Sequence, residues 1–334
     1  MASYWRYILF NFLLVHYTFA STVSDQAQFS SFIKTYGKLY REGSEEYNRR
    51  FDNFKSSLER HRKLNYFSNN ANGVVYGITK FSDLTQAEFA EQVLSRPQDV
   101  LNLNGTRPSD SSTVNEKLDN IPKAYDLREQ HVVTAIKDQK ECGGCWAFSI
   151  VETLETQFAL KYHKLYTLSV QEVLECARGS YGCKGGNTCT TAEWLNETSV
   201  KLTTDKNYPF TDDTNACRIS KQIDGKVGIT NYSCHGYINR ESDMVNTVFN
   251  HGPLTVAVDA TSWQDYVSGV IQHHCSAQAD NHAVQVIGFD TSGPVPYYVV
   301  RNSWGKDWGV DGYLYIKIGG NLCGIANSVV TLTV

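Results

Sequence analysis

The chain has 334 residues, 41% of them hydrophobic, enough for one large domain or two modest ones around a packed core. A net charge of −4, a sequence pI near 6.1 and the lack of any long lysine and arginine run argue against a nucleic-acid partner. Glycine outnumbers proline 24 to 7, and no internal repeat or low-complexity tract is visible.

The first segment, MASYWRYILFNFLLVHYTFA (1–20), has Arg6, an apolar stretch around Ile8 to Val15 and the ending Thr18-Phe19-Ala20. It reads as a signal peptide cleaved near Ala20. The alternative, a membrane anchor, fits poorly because the apolar stretch is short and Asn11 and His16 interrupt it. No other segment is apolar enough to span a bilayer. The chain is therefore expected in the secretory pathway, where disulfides persist.

Residues 25–91 are charged, proline-poor and helical in pattern. In 44–65, Ser44 is a candidate N-cap, and Tyr47, Phe51, Phe54, Leu58 and Leu64 recur at helical spacing. GVVYGITKFSDL (73–84) reads as more strand-like. From about Ser95 to Asn120 the chain is rich in Ser, Asn and Asp, and reads as an exposed linker. All nine cysteines lie between 142 and 323. The odd count in a secreted chain suggests one free thiol. A cysteine-free helical module, a linker and a cysteine-rich module suggest a propeptide and a mature domain, the alternative being two permanent domains.

A helix is expected to start at or beside Cys145, with Ala147, Ile150, Val151, Leu154 and Phe158 on one stripe. Residues 167–177 and 190–197 are two more short helical candidates. After about Gly225 the pattern turns to strands, at 253–260, 283–289, 296–304, 312–319 and 329–334. The layout is α+β, with a cleft between the two halves as the place for a site.

ECGGCWAF (141–148) raises the chemical question. Zinc would need a second ligand pair, and His273-His274-Cys275 lacks that form. A redox dithiol would need a βαβ setting. The third reading is asymmetric. Cys142 is a staple, and Cys145, at a helix N-terminus that favours an anion, is a nucleophile needing a histidine and an orienting group.

QKECGGCWAF (139–148) resembles the papain family of cysteine proteases. Its partners are expected about 130–150 residues downstream. His282 in NHAVQVIGF lies 137 residues after Cys145, and Asn302 in RNSWGKDWGVDGY lies 157 after it. Residues 121–128, 168–176 and 181–186 also resemble family segments. The leading module resembles the family's interrupted helix motif through Glu46, Arg50, Phe54 and Asn65, with Ser57 and His61 departing from it. The next motif reads Gly77, Thr79, Phe81 and Asp83, with Thr79 in place of asparagine. Residues 262–275 and 323–329 point to one subgroup within the family. Gly144 and Leu127 stand where the family usually has serine and tryptophan.

The resemblance implies a papain-like two-subdomain fold, a helical half and a β-barrel-like half with a cleft between, preceded by a helical inhibitory propeptide. The implied divisions are a signal peptide at 1–20, a propeptide at 21–120 and a mature peptidase at 121–334. The implied activity is a cysteine endopeptidase working through a thioester, made as a zymogen and acting in the lysosome, or extracellularly. Cys145 would be the nucleophile, His282 its partner, Asn302 the orienting group, Trp304 a shield and Gln139 an oxyanion donor. Gly185 and Gly186 would pair with substrate backbone. Asn187, Thr188, Ala257, Ala283 and Ser328 would line a pocket for a medium apolar side chain at the second residue before the scissile bond.

Resemblance selects the bridges Cys142–Cys183, Cys176–Cys217 and Cys275–Cys323. Cys189 and Cys234 are left outside the family's usual set and read as a fourth bridge, the alternative being two buried thiols. Asn104, Asn196 and Asn231 are glycosylation sequons. His273-His274 reads as a surface strand end. The carboxylates between Glu42 and Glu59 are expected to loosen the propeptide when protonated. Implied partners are protein and peptide substrates, the chain's own propeptide as inhibitor, and cystatin-like inhibitors. No cofactor, metal, nucleic acid or membrane span is expected, and the enzyme would be a monomer. The competing reading is a catalytically silent binding or inhibitory protein of the same fold. A disulfide reductase using Cys142 and Cys145 is a further alternative.

Overall fold

The computed structural model of the protein describes residues 25–67, 75–95, 121–218 and 225–334. The signal-peptide segment, Asn104 and the linker from 96 to 120 lie outside the described residues.

The prosegment carries a helix through 25–35 (α1), a long helix Glu45–Phe67 (α2) and a short one, Gln86–Gln92 (α3). Ser44 Oγ accepts from the Tyr47 N–H at 3.1 Å, the N-cap that its position before the apolar pattern suggests. Phe29, Phe32, Tyr47, Phe54 and Leu58 close a small aromatic core between α1 and α2. Leu64, one stripe position further, packs instead against the core of the sheet half. The segment at 73–84 departs from the strand reading. Only Tyr76 makes a bridge, to Tyr266, and turns follow from Lys80. The pairing is short: the Gly77 N–H donates to the Asp265 carbonyl at 2.8 Å and the Val75 carbonyl accepts the Val267 N–H at 2.9 Å, and a side chain satisfies the other edge. Asn65 Oδ1 accepts from the Val75 and Tyr76 N–H groups at 3.2 and 3.1 Å, and its Nδ2 donates to the Tyr76 carbonyl at 2.7 Å.

The helical half contains α4 (Cys145–Tyr162), α5 (Val170–Cys176) and α6 (Thr188–Thr198). The stripe Ala147, Ile150, Val151 and Leu154 is buried in this half's core. The opposite side of α4 is buried too, because the helix is wedged against the sheet. There its contacts are polar. Thr255 Oγ1 lies 2.8 Å from Thr153 Oγ1 and donates to the Ser149 carbonyl at 3.0 Å. Gln285 Nε2 donates to the Glu152 carbonyl at 3.0 Å, and buried Arg301 faces the Glu152 carboxylate at 3.4 Å.

The sheet half is built from β1 (Ala124–Asp126), β2 (Asn231–His235), β3 (Leu254–Val258), β4 (Val270–Ile271), β5 (His282–Asp290), β6 (Tyr297–Arg301), β7 (Tyr313–Lys317) and β8 (Val329–Thr333). The strand path is β2-β8-β3-β5-β6-β7-β4, with β1 added on β5. Every pairing is antiparallel except β4 with β7. The five strands read from sequence are present, four with trimmed ends and β5 longer by one residue at each end. One helix in this half went unread: α7, Glu241–His251, which buries Met244, Val245 and Val248. It is short and flanked by strands, so its helical pattern is easily lost among them.

All four disulfides, Cys142–Cys183, Cys176–Cys217, Cys189–Cys234 and Cys275–Cys323, are formed, and Cys145 is the free cysteine.

Candidate active site

Cys145 opens α4. Gly144 is its N-cap and supplies no side-chain cap, so the first-turn N–H groups are left for other acceptors. Burial pushes the Cys145 thiol above its ordinary range, and the Ser95 hydroxyl, followed by the backbone N–H groups of Ala283, Trp146 and Cys145 itself, pulls it partway back. The helix terminus thus does only part of what the sequence suggests, because the sulfur is also cut off from water.

What covers it is the prosegment. Ser95 Oγ lies 3.1 Å from Sγ and donates to the Gly143 carbonyl at 3.0 Å. The Ser95 N–H donates to the Asn281 carbonyl at 2.9 Å. The single Ser95 hydroxyl proton lies within reach of both the Gly143 carbonyl and the Cys145 sulfur, and given to the sulfur it favours the thiolate against burial.

His282 begins β5. Its Nε2 is 2.8 Å from Asn302 Oδ1, and the same oxygen accepts the Ser303 N–H at 2.8 Å, which fixes the orientation of the Asn302 amide. An amide oxygen only accepts, so Nε2 carries the proton and Nδ1 presents a lone pair. Among the described residues, Nδ1 has no hydrogen-bond partner. Burial pulls the imidazole down from 6.5 to about 4, against the Asn302 hydrogen bond, which raises it. Closed in this way, the cysteine and the histidine are both neutral. The Trp304 ring lies 4.7 Å from the His282 ring, tilted by 31°. Phe81 and Phe89 of the prosegment stand edge-on to Trp304 at 5.5 and 5.4 Å.

Gln139 is fully buried. One Nε2 proton goes to the Cys142 carbonyl and the other to the prosegment's Val93 carbonyl, both at 2.9 Å. Ser303 Oγ donates to Gln139 Oε1 at 2.6 Å and sets the direction of the amide. The Val93 carbonyl thus occupies one of the two N–H bonds of the Gln139 amide.

The glycine strip lies against Trp146, whose Nε1 donates to the Gly182 carbonyl at 3.1 Å. A Cβ added at Gly186 would sit 2.3 Å from the Trp146 indole, so only glycine fits that approach. Gly185 has a φ of 123°. Of the expected pocket residues, Ala257 and Ala283 face each other across β3 and β5, and the Ala257 N–H donates to the Ser328 carbonyl at 3.0 Å. Asn187 has a further role: it N-caps α6, accepting from the Cys189 and Thr190 N–H groups at 2.9 and 3.1 Å. Thr188 is buried on the first turn of that helix.

His274 departs from the surface reading. It is half-buried, with Nε2 3.2 Å from the Leu64 carbonyl and its ring edge-on to Tyr76. Asn231 is exposed at the start of β2 and Asn196 half-buried in α6. Reading the sequence missed Ser303, Ser95 and Asp265. Ser303 stood between two chosen residues and was findable there. Ser95 and Asp265 carry no local signal, since both act across the prosegment boundary.

Two family models match the chain: papain family cysteine protease over residues 121–333, and cathepsin propeptide inhibitor domain over residues 29–89. Cathepsin O of Homo sapiens is 43% identical over 285 residues, covering 84% of this chain and 87% of that protein. Cathepsin O of Mus musculus is 41% identical, covering 84% and 88%. These two matches agree with the subgroup to which residues 262–275 and 323–329 point. Among solved structures, a recombinant stem bromelain precursor superposes with a TM-score of 0.81 at 31% identity, over 93% of this chain and 99% of that one. A digestive procathepsin L 3 of Tenebrio molitor larval midgut gives 0.78 at 28% identity, over 93% and 99%. The chain belongs to the papain family of cysteine proteases and carries a cathepsin-type inhibitory prosegment ahead of its peptidase domain.

Proposed function

We propose that the processed chain is an endopeptidase in which Cys145, His282, Asn302 and Gln139 carry the reaction. The observation that carries this reading is the His282 tautomer. With Nε2–H held by Asn302, the free Nδ1 lone pair is the atom left to take the thiol proton once the prosegment leaves. The resulting thiolate attacks the scissile carbonyl, and its oxyanion accepts from Gln139 Nε2 and the Cys145 N–H. The imidazolium then protonates the leaving amine, which leaves a thioester on Cys145. Water, deprotonated by His282, attacks the thioester and releases the acid product.

The divisions that go with this reading are a signal peptide over 1–20, an inhibitory segment over 21–120 and a mature enzyme from 121. Four disulfides support passage through the secretory pathway. No described helix is long and apolar enough to cross a membrane. A lysosomal site of action, a monomeric enzyme, cystatin-like inhibitors and glycans on Asn104, Asn196 and Asn231 belong to the same proposal. So does a pocket of Asn187, Thr188, Ala257, Ala283 and Ser328, with Gly185 and Gly186 as the backbone strip.

The test is covalent labelling. The proform is processed at mildly acidic pH with a mild reductant, treated with a peptidyl epoxide and mapped by mass spectrometry. One adduct on Cys145, absent from a Cys145→Ala variant and accompanied by peptide hydrolysis, is expected. A folded, processed chain with no adduct would instead be a silent binding protein.

A further inference from the structure

Three of the four disulfides reach no strand of the sheet. Cys142–Cys183 and Cys176–Cys217 join segments of the helical half, and Cys275–Cys323 joins two loops of the sheet half. Cys189–Cys234 is different. It runs from the first turn of α6 to β2, an end strand of the sheet, across 45 residues of sequence and a Cα separation of 5.9 Å.

Each end of this bridge is rigidly coupled to one wall of the pocket proposed above. On the α6 side, the Asn187 cap accepts the Cys189 N–H, and the Asn187 carbonyl accepts the Thr191 hydroxyl at 2.7 Å. Asn187, Thr188 and Cys189 therefore move as one piece. On the sheet side, Cys234 stands opposite Val330 in the β2–β8 ladder. Ser328 immediately precedes β8, its carbonyl accepts the Ala257 N–H, and Ala257 stands opposite Ala283.

Four of these five wall residues are Ala257, Ala283, Ser328 and Thr188, all small. Small side chains do not define a pocket's width by filling it, so the spacing of the two backbones does. We propose that Cys189–Cys234 is a specificity-determining clamp, holding the Asn187–Thr188 wall at a fixed distance from the Ala257–Ala283–Ser328 wall. It thereby sets the size of side chain accepted at the second residue before the scissile bond. This rests on the pocket reading under Proposed function. Beside the bridge, Ala192, Trp194 and Leu195 of α6 pack with Val330 and Leu332 of β8 in one apolar core, a contact that permits small rigid-body shifts that a covalent link does not.

The experiment uses the full-length chain with both cysteines replaced, as Cys189→Ala with Cys234→Val, and separately as Cys189→Ser with Cys234→Ala. After processing, active molecules are counted with a peptidyl epoxide, so only folded enzyme enters the rates. kcat/KM is then measured on peptides that differ only in valine, leucine or phenylalanine at the second position before the cut. The expected result is that preference between leucine and phenylalanine relaxes by about fivefold, while kcat per titrated site on the better peptide stays near wild type. An unchanged preference in either titratable variant overturns the clamp. A wild-type enzyme indifferent to that position overturns the pocket reading on which the clamp rests, while labelling of Cys145 would stand.

Discussion

His61 Nε2 lies 2.9 Å from Asp265 Oδ1, joining a buried histidine of the prosegment to a buried carboxylate of the peptidase. Arg60 Nη2 donates to the same oxygen at 2.9 Å, and Arg60 Nε donates to Oδ2. Ser57 Oγ accepts from Arg60 at 2.8 Å and donates to the Ser82 carbonyl at 2.8 Å. Ser57 and His61 are the two positions at which the prosegment departs from the family's helix motif. Both departures serve one network on Asp265. Replacing Asp265 by alanine should leave Arg60 and His61 facing a surface with no counter-charge, costing prosegment docking on the order of 3 kcal/mol. Peptide turnover by the uncleaved proform near neutral pH should rise accordingly, while the processed enzyme matches wild type. Equal latency of the two proforms would show that the network is dispensable.

Acid should loosen the closed form through His282. Its pKa is pulled from 6.5 to about 4 on burial, so between those values the open form binds more protons. For this group, closure is unpenalised above the upper value and loses about 3 kcal/mol as pH falls through the lower one. Glu88 acts in the same direction: burial pushes its carboxyl up, but the Thr85 N–H and hydroxyl and the Arg50 and Arg49 guanidinium groups outweigh that and hold it below its usual range. The carboxylates expected to do this, Glu42, Glu45, Glu46, Asp52 and Glu59, are all exposed to solvent. In an inert Cys145→Ala background, proteolytic susceptibility of the prosegment should climb through that window. A His282→Gln replacement should flatten the climb, and an undiminished slope would remove His282 from the trigger.

Ser95 should ease ionisation of the Cys145 sulfur, which burial opposes. Ser95→Ala removes a hydrogen bond that lowers the thiol pKa and should push thiolate formation to higher pH in the intact proform. Ultraviolet thiolate absorbance against pH reads this directly. A shift to lower pH would mean that the Ser95 oxygen only accepts from the thiol and gives its proton to Gly143.

Gln139→Ala should lower kcat by about a hundredfold to a thousandfold with little change in KM, the signature of a donor used only in the transition state. Steady-state kinetics on the processed variant checks it. A change confined to KM would make Gln139 a substrate-binding residue.

Much of the site was legible because its residues sit in short motifs with side chains pointing where the backbone dictates. Cys145 had to open a helix for Ala147, Ile150, Val151 and Leu154 to share a stripe, and His282 had to begin a strand. The strands after Gly225 were legible for the same reason, since β-branched and aromatic runs have few other uses. Less was visible where side chains replace regular pairing. Asn65 holds one edge of the 75–76 backbone, which pairs with 265–267 only briefly, and α7 carries too few turns to stand out from its neighbours. The polar contacts that join the prosegment to the peptidase left no local signal. Nothing near Asp265 announces Arg60 and His61, which lie more than two hundred residues away in sequence.

Ser95 occupying the nucleophile has a kinetic consequence. A closed molecule cannot cut itself, because the catalytic sulfur is covered by the segment whose excision would free it. Each closed molecule must wait either for its own transient opening or for a neighbour already freed. Maturation should therefore be autocatalytic, with a sigmoidal time course. Its delay should shorten as protein concentration rises and vanish when a trace of finished enzyme is added at the start.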